Sequence, residues 1–166
     1  HRLYYLARGQ DQRRVSAHSP MKSISNETTF NEDTNDADLL DGHLWRMCEN
    51  VSDRAKAKGL AGRVVTLKLK KSNFTLVSKR ISLSDPTQIA DRIYRTARAL
   101  FDQIGDQGPY RLLGAGISDL SPAEGADVSG DLLDPQGTKR AQAERATDEI
   151  REKFGPDAIL KGRALR

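Results

Sequence analysis

The stretch Lys22-Ser23-Ile24-Ser25-Asn26-Glu27-Thr28-Thr29-Phe30 decides how the rest of the chain is read. Its residues alternate: Ile24, Asn26, Thr28 and Phe30 fall on one side of an extended chain, and Ser23, Ser25, Glu27 and Thr29 on the other. This is a strand with one side toward a core and a second side of hydroxyls, entered by a lysine. Asn31 to Asp38 then supplies Asn, Asp and Thr, whose side chains cap helices, with acids that suit a helix's positive end. A helix is predicted from about Asp36 to Lys58, with Leu40, Leu44, Met47, Cys48, Val51 and Ala55 on one stripe. Arg54, Lys56 and Lys58 suit its negative end, and Gly59 stops it. Trp45 on this helix is expected in the core or at its boundary.

Further on, Arg63 to Lys70 alternates again. Val65, Leu67 and Leu69 point one way, and Thr66, Lys68 and Lys70 the other. A tight turn at Lys71-Ser72 leads into a third strand, Asn73 to Leu83, with Phe74 and Leu76 expected on the core side, which makes the two strands a hairpin. A second helix is expected after a Ser84-Asp85-Pro86 cap, with Ile89, Ile93, Ala97, Leu100 and Ile104 at helical spacing. The fourth strand is Tyr110 to Leu120. The order β-α-β-β-α-β predicts an α+β fold: a four-stranded, mainly antiparallel sheet with both helices on one face and the other face open. That open face carries the lysines.

The ends differ in character. Residues 1–9 read as the last turns of a helix closed by Gly9, and residues 10–21 as a polar, basic linker. After Leu120 the composition turns to Ser, Pro, Gly and Asp up to about Gly137. A tail helix is predicted from about Thr138 to Phe154, with Ala143, Ala146, Ile150 and Phe154 in register and Gly155-Pro156 as its stop. Its weak stripe suggests a tail peripheral to the fold.

Composition narrows the function classes. With 166 residues, 37% hydrophobic and 5% aromatic, the chain has room for one domain with a modest aliphatic core plus flanks. The single cysteine, Cys48, allows no intramolecular disulfide and no cysteine-based zinc site, which points to a reducing compartment. No apolar run reaches membrane-spanning length, so a cytoplasmic soluble protein is expected. The net charge of +4 hides a segregation: Asn31 to Asn50 holds six acids and one Arg, whereas Val51 to Arg80 holds nine Lys or Arg and one Asp. A basic block of this kind is the footprint of a polyanion-binding face.

Three segments carry a family resemblance: residues 22–30, Val65-Thr66-Leu67-Lys68-Leu69-Lys70-Lys71-Ser72-Asn73-Phe74, and Arg111-Leu112-Leu113-Gly114-Ala115-Gly116-Ile117-Ser118-Asp119-Leu120. Their order and spacing resemble the little finger, or polymerase-associated, domain of Y-family translesion polymerases of the DNA polymerase IV type. On that resemblance residues 1–9, with Leu3-Tyr4-Tyr5-Leu6-Ala7-Arg8-Gly9, are the end of a thumb helix. Residues 10–21 are a tether, 22–120 the DNA-binding little finger, and 121–166 a C-terminal tail.

The resemblance implies a low-fidelity polymerase that copies damaged templates with Mg²⁺ held by carboxylates of a palm domain outside this chain. No cofactor is then expected in these residues. It further implies primer-template DNA as partner, a monomer, and an open sheet face lying along the major groove and touching mainly phosphates. Lysines, hydroxyls and main-chain amides bind phosphate without reading bases. The candidate contacts are Lys22, Ser23, Ser25, Thr29, Thr66, Lys68, Lys70, Lys71, Thr75 and Lys79. A clamp-binding motif of a glutamine followed by spaced Leu and Phe usually ends the family's chains. Its nearest counterpart is Gly130-Asp131-Leu132-Leu133-Asp134, which lacks the glutamine and the aromatic.

Other chemistry is weaker. Glu32, Asp33, Asp36 and Asp38 precede a helix, where capping is a simpler account than a metal pair. His1, His18 and His43 lack ligand spacing and read as surface or linker residues. Gly114 and Gly116 are not followed by a helix start, so close backbone packing explains them better than a phosphate loop. An RNA-binding module of the same topology would place stacking aromatics on the open strands, where this chain offers Lys, Thr and Ser. A regulatory or structural α+β domain without a nucleic-acid partner is the remaining alternative.

Overall fold

The computed structural model describes residues 2–14, 19–105, 107–127, 136–155 and 157–162. The elements run α1 (Arg2–Leu6), β1 (Ser23–Thr34), α2 (Ala37–Ala57), β2 (Leu60–Lys71), β3 (Leu76–Thr87), α3 (Ala90–Asp102), β4 (Tyr110–Pro122) and α4 (Gly137–Phe154). The strands form one sheet in the order β1-β4-β2-β3, and all three neighbouring pairs are antiparallel. The expected α+β architecture is therefore present, with α2 and α3 on one face.

Alternation sets which side of each strand is buried. Val65, Leu67 and Leu69 of β2 face the helices and pair with Ile117, Ala115 and Leu113 of β4, all buried. Leu40, Leu44, Met47, Val51 and Ala55 of α2 and Ile93, Ala97 and Leu100 of α3 close on this layer. Each large aliphatic side chain buried there contributes about 1.5–3 kcal/mol. Trp45 is buried among them, edge-on to Tyr94 at 5.2 Å between ring centroids. Cys48 lies in the same layer, and burial pushes its thiol far above the ordinary range, so it stays protonated and unreactive.

The α2 start follows its sequence signals. The Asp36 carboxylate accepts from the amides of Asp38 and Leu39 at 3.0 and 3.1 Å. At the other end Gly59 adopts φ +61°, the left-handed conformation that closes a helix.

Three expectations are corrected. Phe74 is not on the core side of a strand. It lies in the β2-β3 connection with φ +66° and is 62% exposed, and β3 begins only at Leu76, itself 55% exposed. Ser84-Asp85-Pro86 does not cap α3 but continues β3 along the sheet edge, where a proline removes no needed ladder bond. The N-cap position of α3 is Ile89, which makes no side-chain cap bond.

The third correction concerns the tail. The residues in the expected docking stripe, Ala143, Ala146, Ile150 and Phe154, are exposed. α4 instead docks through a polar ridge containing Ala141, Glu144, Asp148 and Arg151. Glu144 is only 5% exposed and accepts from the amide of Ala90 at 2.7 Å and of Asp91 at 3.1 Å, so it is the missing cap of α3. Lys56 of α2 holds Glu144 at 2.7 Å and Asp148 at 2.6 Å, while Arg140 meets Asp91 at 2.8 Å and Arg151 meets Glu49 at 3.3 Å. The clamp-motif counterpart at 130–134 lies outside the described residues.

Candidate nucleic-acid interface

Strand register arranges the face away from the helices into four cross-sheet rows. Ser23, Ser118, Val64 and Ser82 form the first, and Ser25, Gly116, Thr66 and Arg80 the second. Glu27, Gly114, Lys68 and Ser78 form the third, and Thr29, Leu112, Lys70 and Leu76 the fourth. Nine of these sixteen positions carry a hydroxyl or a cation on β1 or β2, or a serine or arginine on β3. No described helix packs on this side.

The two glycines shape the centre. A Cβ on Gly114 would stand 2.9 Å from the Cβ of Glu27, and one on Gly116 would stand 2.7 Å from the Cβ of Ser25. The side chains of β1 and β2 therefore lean together over bare β4 backbone, leaving a shallow trough lined by Ser23, Ser25, Glu27, Thr66 and Lys68. Close backbone packing is what the sequence suggested for these glycines. Across the trough the Lys68 ammonium meets the Glu27 carboxylate at 2.7 Å, so this lysine's charge is partly offset by its neighbour.

The ten sequence-derived candidates separate by position. Ser23, Ser25, Thr29, Thr66, Lys68 and Lys70 share the open face, and Lys22 is exposed just before β1. Thr75 sits in the β2-β3 connection, where its amide donates to the Asn73 side chain at 3.0 Å. Lys79 is on the wrong side: it pairs with Leu67, and its ammonium donates to the Gln103 carbonyl at 3.2 Å beside the α3 C-terminus. Lys71 pairs with buried Tyr110 past a register break, and its ammonium donates to Gln107 Oε1 at 3.0 Å.

Arg80 is the open-face cation that sequence reading missed. The error came from anchoring β3 on Phe74 and Leu76. Val77 and Leu83, which pack against the core on the helix side, carried the right phase and would have placed Ser78, Arg80 and Ser82 outward. His43 is more than a surface residue, since its ring packs edge-on to Phe30 at 5.0 Å. Burial, then the nearby Arg46 charge, lowers its pKa below the usual histidine value. Among the described residues no group of three or more His, Cys, Asp or Glu side chains is placed to hold a metal ion, and no helix is long and apolar enough to cross a membrane.

Comparison with known proteins identifies the family of the chain. The model of the impB/mucB/samB family C-terminal domain matches residues 21–132. DNA polymerase IV of Brucella melitensis is 50% identical over 161 residues, covering 97% of this chain and 36% of the relative. DNA polymerase IV 1 of Mesorhizobium japonicum is 47% identical with the same coverage, and DNA polymerase IV of Caulobacter vibrioides is 39% identical over 99% of this chain and 40% of its own length. The chain thus spans well under half of these curated relatives. Among solved structures, the post-insertion binary complex of Dbh DNA polymerase shares the fold, with TM-score 0.52 and 16% identity over 71% of this chain and 34% of that one.

Proposed function

We propose, from the premise that this chain belongs to the impB/mucB/samB family of C-terminal domains, that it is the DNA-binding portion of a low-fidelity translesion DNA polymerase. It grips the phosphates of primer-template DNA through the open sheet face. The observation that carries this reading is the uncovered face itself. Hydroxyls and cations are set in register across the strands, and the apolar residues of the face, Val64, Leu112 and Leu76, are too few to seat a further packing layer. Phosphate contacts of this kind hold a duplex of any sequence, which suits an enzyme that must translocate.

The rest of the reading concerns the longer protein. As a whole it is a DNA-directed DNA polymerase acting at damaged templates, a cytoplasmic monomer. Its Mg²⁺ is held by carboxylates of a palm domain outside these residues, which bring the ions to the reacting phosphate. Residues 1–9 end its thumb and 10–21 tether the DNA-binding unit. That unit begins at 22 and, given the docking of α4, is completed by the tail rather than ending at 120. If the tail engages a sliding clamp, Leu132 and Leu133 are the anchors, and replacing both with Ala abolishes clamp binding.

The direct test is the salt dependence of duplex binding. Each neutralised phosphate contributes about −0.9 to the slope of log affinity against log salt. Changing Lys70 and Arg80 together to Ala flattens that slope by about two units on every sequence alike. A double variant that keeps the parent's slope would show that the DNA lies on another face.

A further inference from the structure

Phosphate grip does not account for one end of the open face. There the fourth row brings Leu112 and Leu76 beside Lys70, and the β2-β3 connection holds Phe74 close to the Lys70 ammonium. Leu76 and Phe74 are 55% and 62% exposed. The Arg111 guanidinium carbon stands 4.3 Å from the Phe74 ring centroid and the Lys70 ammonium 5.2 Å from it. Lys68 in the next row spends its charge on Glu27, whereas among the described residues neither Lys70 nor Arg111 has an ion-pair partner.

The backbone makes this placement more telling. Phe74 sits at φ +66°, a conformation that a bulky side chain disfavours and that glycine or asparagine adopts easily. The turn does not need the ring. Asn73 already accepts the Thr75 amide at 3.0 Å, and the Phe74 amide donates to the Lys71 carbonyl at 2.9 Å. An aromatic ring held there, largely in solvent and flanked by two cations, has the features of a surface that meets flat rings joined by phosphates. Aromatic faces bind unpaired bases whatever their identity, and adjacent cations meet the backbone between them.

We propose that Phe74, with Arg111 and Lys70, is a stacking platform for an unpaired base of single-stranded DNA at the edge of the duplex-gripping face. Leu76 and Leu112 extend its apolar floor. The proposal rests on the DNA-binding reading above and adds a contact with bases to a face otherwise suited to phosphates.

The test compares three DNA probes on the 166-residue chain: a short single-stranded oligonucleotide, the same length of abasic single strand, and a blunt duplex. The parent is expected to bind the base-bearing strand more tightly than the abasic one. Phe74→Ala weakens binding to the base-bearing strand by about 5- to 150-fold, the range for losing one stacked base. It leaves the abasic strand, the duplex and the melting temperature nearly unchanged. Phe74→Tyr restores the affinity and Phe74→Leu does not. Equal losses on abasic and base-bearing strands, or no loss on either, would overturn the platform while duplex binding still stands. A parent chain that binds none of the three probes would bring down the DNA-binding reading, and the platform with it.

Discussion

The two core helices of this domain begin in opposite ways. α2 is capped by the residue immediately before it, Asp36, whose carboxylate takes two amides of the first turn and sits in solvent. α3 has no cap of its own and takes Glu144 from α4, 54 residues further along the chain, into a buried position. Both solutions satisfy amides that a helix start leaves open. The first costs the fold little if it is lost, because water replaces it. The second ties three helices together, because Glu144 also meets Lys56 of α2 and accepts from the Ser52 hydroxyl at 3.3 Å.

Removal of residues 128–166 is the strongest way to break this contrast. It uncovers the α3 amides and leaves Lys56 without either carboxylate, so a loss of about 3 kcal/mol or more is expected from the charge-assisted bonds alone. In a protein of this size that lowers the melting temperature by roughly 6 °C or more. An unchanged melting temperature would mean that α4 rests on the surface without stabilising it, as the sequence had suggested.

Glu144→Ala should cost somewhat less, about 2–3 kcal/mol, since α4 keeps its Arg140 and Arg151 contacts while a half-buried lysine loses its nearest partner. Asp36→Ala should cost about 1 kcal/mol, and Asp36→Ser almost nothing. Chemical denaturation of the three variants side by side orders the two caps. If Asp36→Ala proved the more damaging, the remote cap would not be the structural keystone described above.

The smallest effect is expected in the pH dependence. Burial by itself would raise the Glu144 pKa, but attraction to the Lys56 ammonium and the bonds from Lys56, Ala90 and Asp91 outweigh it and hold the value below that of an ordinary carboxylate. A depressed carboxylate contributes stability that is present above its unfolded value, near 4.5, and is lost as pH falls through the folded one. Lys56 has the opposite sign. Burial acts to lower its pKa, yet Glu144 and Asp148 together raise it, so its share persists up to its unfolded value near 10.5 and fades at higher pH. Stability curves of the parent and Glu144→Gln should therefore converge on acidification below about pH 4.5. Parallel curves through that range would remove the charge from the account of the cap.

The same contrast explains what the sequence disclosed. The strand order along the chain, the α2 start, the β2 alternation and the glycines of β4 rest on neighbours two to four residues apart, and these were legible. The start of α3 depends on a carboxylate supplied from another element, and no local pattern announces it. The stripe assigned to α4 failed for a related reason. Small apolar residues mark a helix that packs on a hydrophobic surface, but its partner is the polar end of α3 and the ammonium of Lys56. On the open face, six of ten candidates fell where alternation put them. Lys79 and Phe74 were misplaced because one apolar residue in a turn was taken as the first inward residue of a strand, which reverses every side chain after it.

The position of β4 also bears on how the chain is made. It is the last strand of this sheet to be synthesised, yet it lies between β1 and β2, and β1 at the sheet edge pairs with it, as in Ser23 with Ser118 and Thr29 with Leu112. On a ribosome adding about 5–20 residues per second, the first strand emerges on the order of 5–20 s before its partner. The β2-β3 hairpin needs no such delay and is free to form early, since its contacts are local. During that interval the nascent chain displays an unpaired β1 and a free β2 edge, both able to pair with another copy. Completion of the sheet is thus a late, largely all-or-none event, and the molecule's exposure to aggregation is set by how quickly its final strand is inserted.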